Sequence, residues 1–97
     1  MVKTESYKEN LLNSLKDPEA AAEYLTACLD DGDVEVFLLA LRDVAEAQGG
    51  IRKLSGRSRL NRENLYRMLS GAGNPSLSSL DSILNSLGLR LAVGVRQ

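Results

Sequence analysis

The stretch Gly50-Ile51-Arg52-Lys53-Leu54-Ser55-Gly56-Arg57-Ser58-Arg59-Leu60-Asn61-Arg62-Glu63-Asn64-Leu65-Tyr66-Arg67-Met68-Leu69-Ser70 decides the fold. Ile51, Leu54, Leu60, Leu65, Met68 and Leu69 supply its apolar positions, and the pattern reads as two short helices around a tight turn. Asn61 is the N-cap of the second, because its side-chain carbonyl can accept a backbone N–H left unpaired in a first turn. Arg62, Asn64, Tyr66 and Arg67 stay outside the core stripe. Arginine pairs with guanine edges and phosphates, and asparagine pairs with adenine. A helix-turn-helix over 50–70 therefore carries the chemistry of a duplex-DNA reader, and no other segment offers a comparable set.

Two acidic helices over 17–48 precede it. Asp17-Pro18-Glu19 is a start signal: an acceptor at the cap, proline in the first turn and an acid at the positive dipole end. This helix is expected to run to Leu29, with Ala21, Ala22, Leu25, Cys28 and Leu29 inward, and to stop at Asp30-Asp31-Gly32. Asp33 caps the next, in which Val34, Phe37, Leu38, Leu41, Val44 and Ala45 keep the helical spacing up to Gln48-Gly49-Gly50. Residues 1–16 offer only Tyr7, Leu11, Leu12 and Leu15, which fits either a short helix or a flexible segment that orders on a partner.

After the loop Ser70-Gly71-Ala72-Gly73-Asn74-Pro75, Ser76 caps a fifth helix over 76–88. Leu77, Leu80, Ile83, Leu84 and Leu87 point inward, and Gly88 is the residue after its end. Leu89 to Arg96 then alternates, with Leu89, Leu91, Val93 and Val95 on one face, which predicts a strand over 89–96. A lone strand leaves its backbone groups unpaired. The same strand from a second copy, antiparallel across a two-fold axis, would satisfy them. These four residues thus predict a homodimer, with an extended tail packed on the fifth helix as the alternative. The expected fold is all-α with one C-terminal β-strand, a single five-helix repressor-like domain.

Ninety-seven residues with no Trp, one Phe and three Tyr allow one small domain with an aliphatic core. The net charge of −1 conceals a split. Met1 to Gln48 carries four bases against eleven acids, a net of −7, whereas Gly49 to Gln97 carries eight bases, seven of them arginine, against two acids, a net of +6. The basic half suits a polyanion and the acidic half a basic protein. Glu19, Glu23, Asp30, Asp31 and Glu35 are the candidate partner surface, an ordinary solvated helix face being the plain alternative. Cys28 is alone, so it makes no internal disulfide and suggests no metal cluster. The lack of histidine removes the commonest general base and metal ligand. With no phosphate-cradling glycine motif either, neither an enzyme, a cofactor nor a metal is expected. The first residues are polar and charged, so no secretory signal is expected. No apolar run nears the roughly 20 residues of a membrane span, so a cytoplasmic protein is expected.

Arg62, Asn64 and Arg67 are the leading base or phosphate contacts, and Asn61 can combine capping with a phosphate contact. Tyr66 either offers its hydroxyl to a phosphate or forms a half-buried core edge. Lys53, Arg57 and Arg59 flank the helix and would hold the DNA backbone, which gives affinity without sequence information. Gly50 and Ile51 open a helix with free N–H groups, a natural phosphate site. Two-fold presentation would read a palindrome with half-sites about one helical turn apart.

Taken in order, several pieces resemble a known family. They are Asp17-Pro18-Glu19-Ala20-Ala21-Ala22-Glu23-Tyr24-Leu25, then Asp31-Gly32-Asp33 ahead of Phe37-Leu38-Leu39-Ala40-Leu41. Asn61-Arg62-Glu63-Asn64-Leu65-Tyr66-Arg67, Gly73-Asn74-Pro75-Ser76-Leu77 and Leu87-Gly88-Leu89-Arg90-Leu91 follow. They look like the addiction-module antidote proteins, antitoxins with an XRE-like, phage-repressor-type helix-turn-helix. The resemblance covers nearly the whole chain beyond Lys16 and rests on order and spacing together. It implies an autorepressor of a toxin–antitoxin operon that binds double-stranded DNA and neutralises a small basic RelE/ParE-like toxin. The alternatives are a stand-alone helix-turn-helix regulator without a toxin, and an interaction module whose arginines bind an acidic protein. The chain departs from the family pattern at the turn, where Arg59 stands in place of the usual glycine and a positive φ would strain it. Ser55 supplies the small residue expected where the two helices cross. Gly56 weakens the first of them by up to about 1 kcal/mol relative to alanine.

Overall fold

The structure is a computed structural model describing residues 4–96. Residues 1–3 and 97, the ends of the expected N-terminal segment and of the single domain, lie outside the described residues. Six helices follow one another: α1 Thr4–Ser14, α2 Pro18–Asp30, α3 Val34–Ala47, α4 Ile51–Ser58, α5 Arg62–Met68 and α6 Leu77–Ser86.

Local hydrogen bonds set four of the starts. Asp17, Asp33, Asn61 and Ser76 accept from the backbone N–H of Glu19 (3.4 Å), Val36 (3.3 Å), Asn64 (2.8 Å) and Ser79 (3.1 Å), respectively. Each satisfies a donor that the helix itself cannot. Two ends are closed by left-handed glycines. At Gly88 (φ 79) the N–H donates to Asn85 O at 3.1 Å, while the Leu89 N–H donates to Leu84 O at 2.8 Å. Gly49 (φ 114) closes α3 the same way, with Gly50 N–H reaching Ala45 O at 2.9 Å.

The helices bury one aliphatic core. α2 and α3 form a hairpin through Asp31–Asp33, α1 lies on α3, and α4 touches α3, α5 and α6. Leu15, Leu38, Leu41, Leu65, Leu69 and Ile83 are wholly enclosed. Burying each such side chain contributes about 1.5–3 kcal/mol relative to exposure. Cys28 is a buried member of this core, and burial pushes its thiol up from the ordinary value. Between α2 and α3 the Tyr24 hydroxyl donates to Asp43 Oδ2 at 3.3 Å. Burial raises the Asp43 carboxyl above its usual range, and burial followed by the charge of Asp43 pushes Tyr24 up to about 12.

Three expectations are corrected. The helix count is six rather than five, because Thr4–Ser14 is helical, with Leu11 partly buried and Leu15 sealed beneath the bundle. Ala22, Leu29, Val34 and Leu77, expected inward, are exposed; the last three lie in a first or last turn, where the chain leaves the core. The C-terminal strand is not formed. Residues 89–96 adopt no regular secondary structure and the described residues are all-helical, so strand pairing of Leu89, Leu91, Val93 and Val95 across a dimer is overturned. The cause is a competition at the segment's first residue. The Leu89 N–H is spent on closing α6 and its side chain packs on the core, while Leu91 follows it into a groove beside α2. Val93 and Val95 are 100% and 93% exposed. The homodimer argued from that strand loses its basis with it.

No helix among the described residues is long and apolar enough to cross a membrane.

Candidate nucleic-acid interface

α4 turns its buried residues Ile51, Leu54 and Ser58 inward, and α5 is anchored by Leu65 and followed by the buried Leu69. The connection between them is short and stitched by serines. Ser55 Oγ donates to Leu60 O at 2.6 Å, and Ser58 Oγ accepts from Leu60 N–H at 3.3 Å. Ser82 Oγ, from α6, donates to Ser58 O at 3.2 Å. This frame holds Arg59 at φ 64, the one described non-glycine residue in the left-handed region, while its N–H donates to Ser55 O at 3.0 Å. The strain anticipated at that position is present. Surrounding bonds over-determine the turn, which is how an unfavourable backbone conformation persists. The sequence reading assigned nothing to Ser58 or Ser82; their contact spans 24 residues and has no local signal.

Beyond the turn, Asn61 caps α5, and Arg62, Glu63, Tyr66 and Arg67 are exposed, with Asn64 half-buried. Two of the expected base readers form one unit, because the Arg67 guanidinium donates to Asn64 Oδ1. That bond uses one of the two lone pairs of the Asn64 carbonyl oxygen and leaves most of the guanidinium donors for guanine or phosphate. The C-terminal end of α5 is backed by the loop over 70–75. Ser70 Oγ donates to Arg67 O at 2.8 Å, and Gly73 lies so close that a methyl there would collide with the Arg67 and Met68 carbonyl oxygens.

Tyr66 is 48% exposed, and its ring lies under the guanidinium of Arg42, 5.3 Å from ring centroid to Cζ. It is therefore an outward residue rather than a core edge. Arg42 entered the sequence reading only as a charge; nothing in the periodicity of α3 signals that it meets α5. Lys53 and Arg57 are exposed on α4. They line a shallow depression of about 590 Å³ with Lys16, Pro18 and Leu87, which no α5 residue borders.

The acidic residues divide likewise. Glu19, Glu23, Asp30 and Asp31 are exposed on α2 and at its end, whereas the Glu35 side chain lies against Gly71 in the loop after α5. Beside α2 runs an apolar groove of about 470 Å³ between Pro18, Leu25 and Leu29 on one side and Leu84, Leu89 and Leu91 on the other, with Glu19 at its edge.

A family profile described as "probable addiction module antidote protein" matches residues 5–95. The chain belongs to the addiction-module antidote family. An antidote protein counters a toxin, so membership carries an antitoxin role and, in general terms, a toxin partner. An uncharacterized protein of Haemophilus influenzae is 31% identical to this antidote-family chain over 91 residues, 93% of each protein. No solved structure matches the chain.

Proposed function

We propose that the protein is the antitoxin of a toxin–antitoxin operon: it neutralises a small basic toxin of the RelE/ParE kind and represses its own operon by binding duplex DNA through α5. Family membership supports the first half. The observation that carries the second is the presentation of α5. A short helix, fixed by its Asn61 cap and the buried Leu65, turns Arg62, Tyr66 and the Arg67–Asn64 unit outward. A helix of this size fits the major groove, where arginine reads guanine edges bidentately. Arg59, held at the turn, adds a backbone contact that positions without specifying. The acidic face of α2 and the adjoining apolar groove suit a basic partner, whose encounter the charge would accelerate. On this reading the protein is a cytoplasmic binding protein rather than a catalyst.

The experiment is co-expression with the adjacent small reading frame, followed by a mobility shift on the DNA upstream of the gene. Co-purification of the two products and a salt-sensitive shift support both halves. A shift without co-purification identifies a stand-alone regulator, and co-purification without a shift removes the DNA reading.

A further inference from the structure

We propose that Arg42, which belongs to the acidic half of the chain, is a phosphate contact of the DNA interface, and that the Tyr66 ring is the platform that positions it. This rests on the duplex-DNA reading of α5. The guanidinium of Arg42 leaves α3 and lies 5.3 Å from the centroid of the Tyr66 ring. At that range the ring's negative face attracts the cation and fixes its plane, while the N–H edge stays free for an anion. Tyr66 follows Arg62 by four residues on α5, which puts the two on the same side of that helix. The stack therefore brings a cation from α3 to the flank of α5 that carries Arg62.

Within its depression, Arg42 is the charged group left without an ion-pair or hydrogen-bond partner among the described residues. Arg42 and Tyr66 line a depression of about 510 Å³ together with Gly50 and Ile51, at the opening of α4, and three other charged groups. Glu46 pairs with Lys8 at 3.6 Å in an exposed contact, and Asp43 accepts the Tyr24 hydroxyl while keeping its own charge. Arg42 makes no ion pair among the described residues. Gly50 supplies no side-chain cap to α4, so the first-turn N–H groups beside Arg42 have no side-chain acceptor. The complementary occupant is a singly charged phosphodiester of the strand flanking the groove that α5 enters. Only backbone recognition is expected from this pair, so it adds affinity and no sequence preference.

The test is fluorescence anisotropy across a salt series, using a labelled duplex of the DNA upstream of the gene and a random-sequence duplex. Arg42→Ala is expected to weaken both several-fold and to flatten the dependence of log K on log salt by about 0.9, the signature of one lost phosphate contact. Tyr66→Phe keeps the ring and with it the platform, so it should retain the wild-type salt slope, whatever affinity the hydroxyl itself supplies. Tyr66→Leu should reproduce Arg42→Ala, and combining the two should cost nothing further. An unchanged salt slope in Arg42→Ala, with the wild type binding normally, overturns this inference and spares the DNA reading. Equal losses in Tyr66→Phe and Tyr66→Leu overturn the platform, because the hydroxyl would then be the contact. A wild type that shifts neither duplex overturns both.

Discussion

At the scale of single residues, the protein places an arginine where its backbone favours glycine. Arg59 sits at φ 64, a conformation that strains an L side chain by about 1–2 kcal/mol. Replacing it by glycine relieves that strain but loosens the unfolded chain by about 0.4–1 kcal/mol. Arg59→Gly should therefore gain about 0.5–1 kcal/mol, visible as a rise of a few degrees in the melting temperature. The same change should weaken duplex binding equally for all sequences, since a backbone cation is lost. Stability and affinity moving in opposite directions would mark a residue retained for binding. Tyr24 makes a second case. Its folded pKa of about 12 lies above the ordinary 10.0, so its contribution to stability is complete below pH 10 and is lost as the pH rises through 12. Chemical denaturation of Tyr24→Phe should show a smaller fall in stability over that alkaline window. At neutral pH it should show the loss of a hydrogen bond to a charged acceptor, about 1.5–3 kcal/mol.

Elements were legible where their causes are local. The caps Asp17, Asp33, Asn61 and Ser76 each act within three residues, and all four form the bonds their spacing implies. α1 was ambiguous because a short helix owes its existence to packing, here of Leu11 and Leu15, which no local rule supplies. The strand misled for a different reason. Period-two alternation states which residues share a face and says nothing about what lies opposite, and the Leu89 N–H had a closer acceptor at the end of α6. The loop between α5 and α6 packs tightly against the end of α5. A methyl at Gly73 meets the carbonyl oxygens of Arg67 and Met68, so Gly73→Ala has to move the loop or the end of α5. It should cost about 1–3 kcal/mol in chemical denaturation. Duplex preference should also blur, because the carbonyl it displaces belongs to Arg67.

Over the whole molecule, the sequence separated an acidic half from a basic half, and the exposed acids of α2 and arginines of α5 belong to different helices. What one dimension could not supply was the traffic between the halves. Arg42 reaches out of the acidic half to Tyr66, Glu35 lies on the loop behind α5, and Lys53 and Arg57 line a depression with Lys16. Each of these pairings depends on how helices distant in sequence are set together. Whether the outward arginines of α5 read duplex DNA is decided by selecting and sequencing fragments of the host genome retained by the purified protein, alongside a variant carrying Arg62→Ala and Arg67→Ala. The wild type is expected to enrich one short motif, including the DNA upstream of its own gene, and the variant, still folded, to lose it. Enrichment of the same motif by both proteins, or of none by the wild type, would contradict the claim.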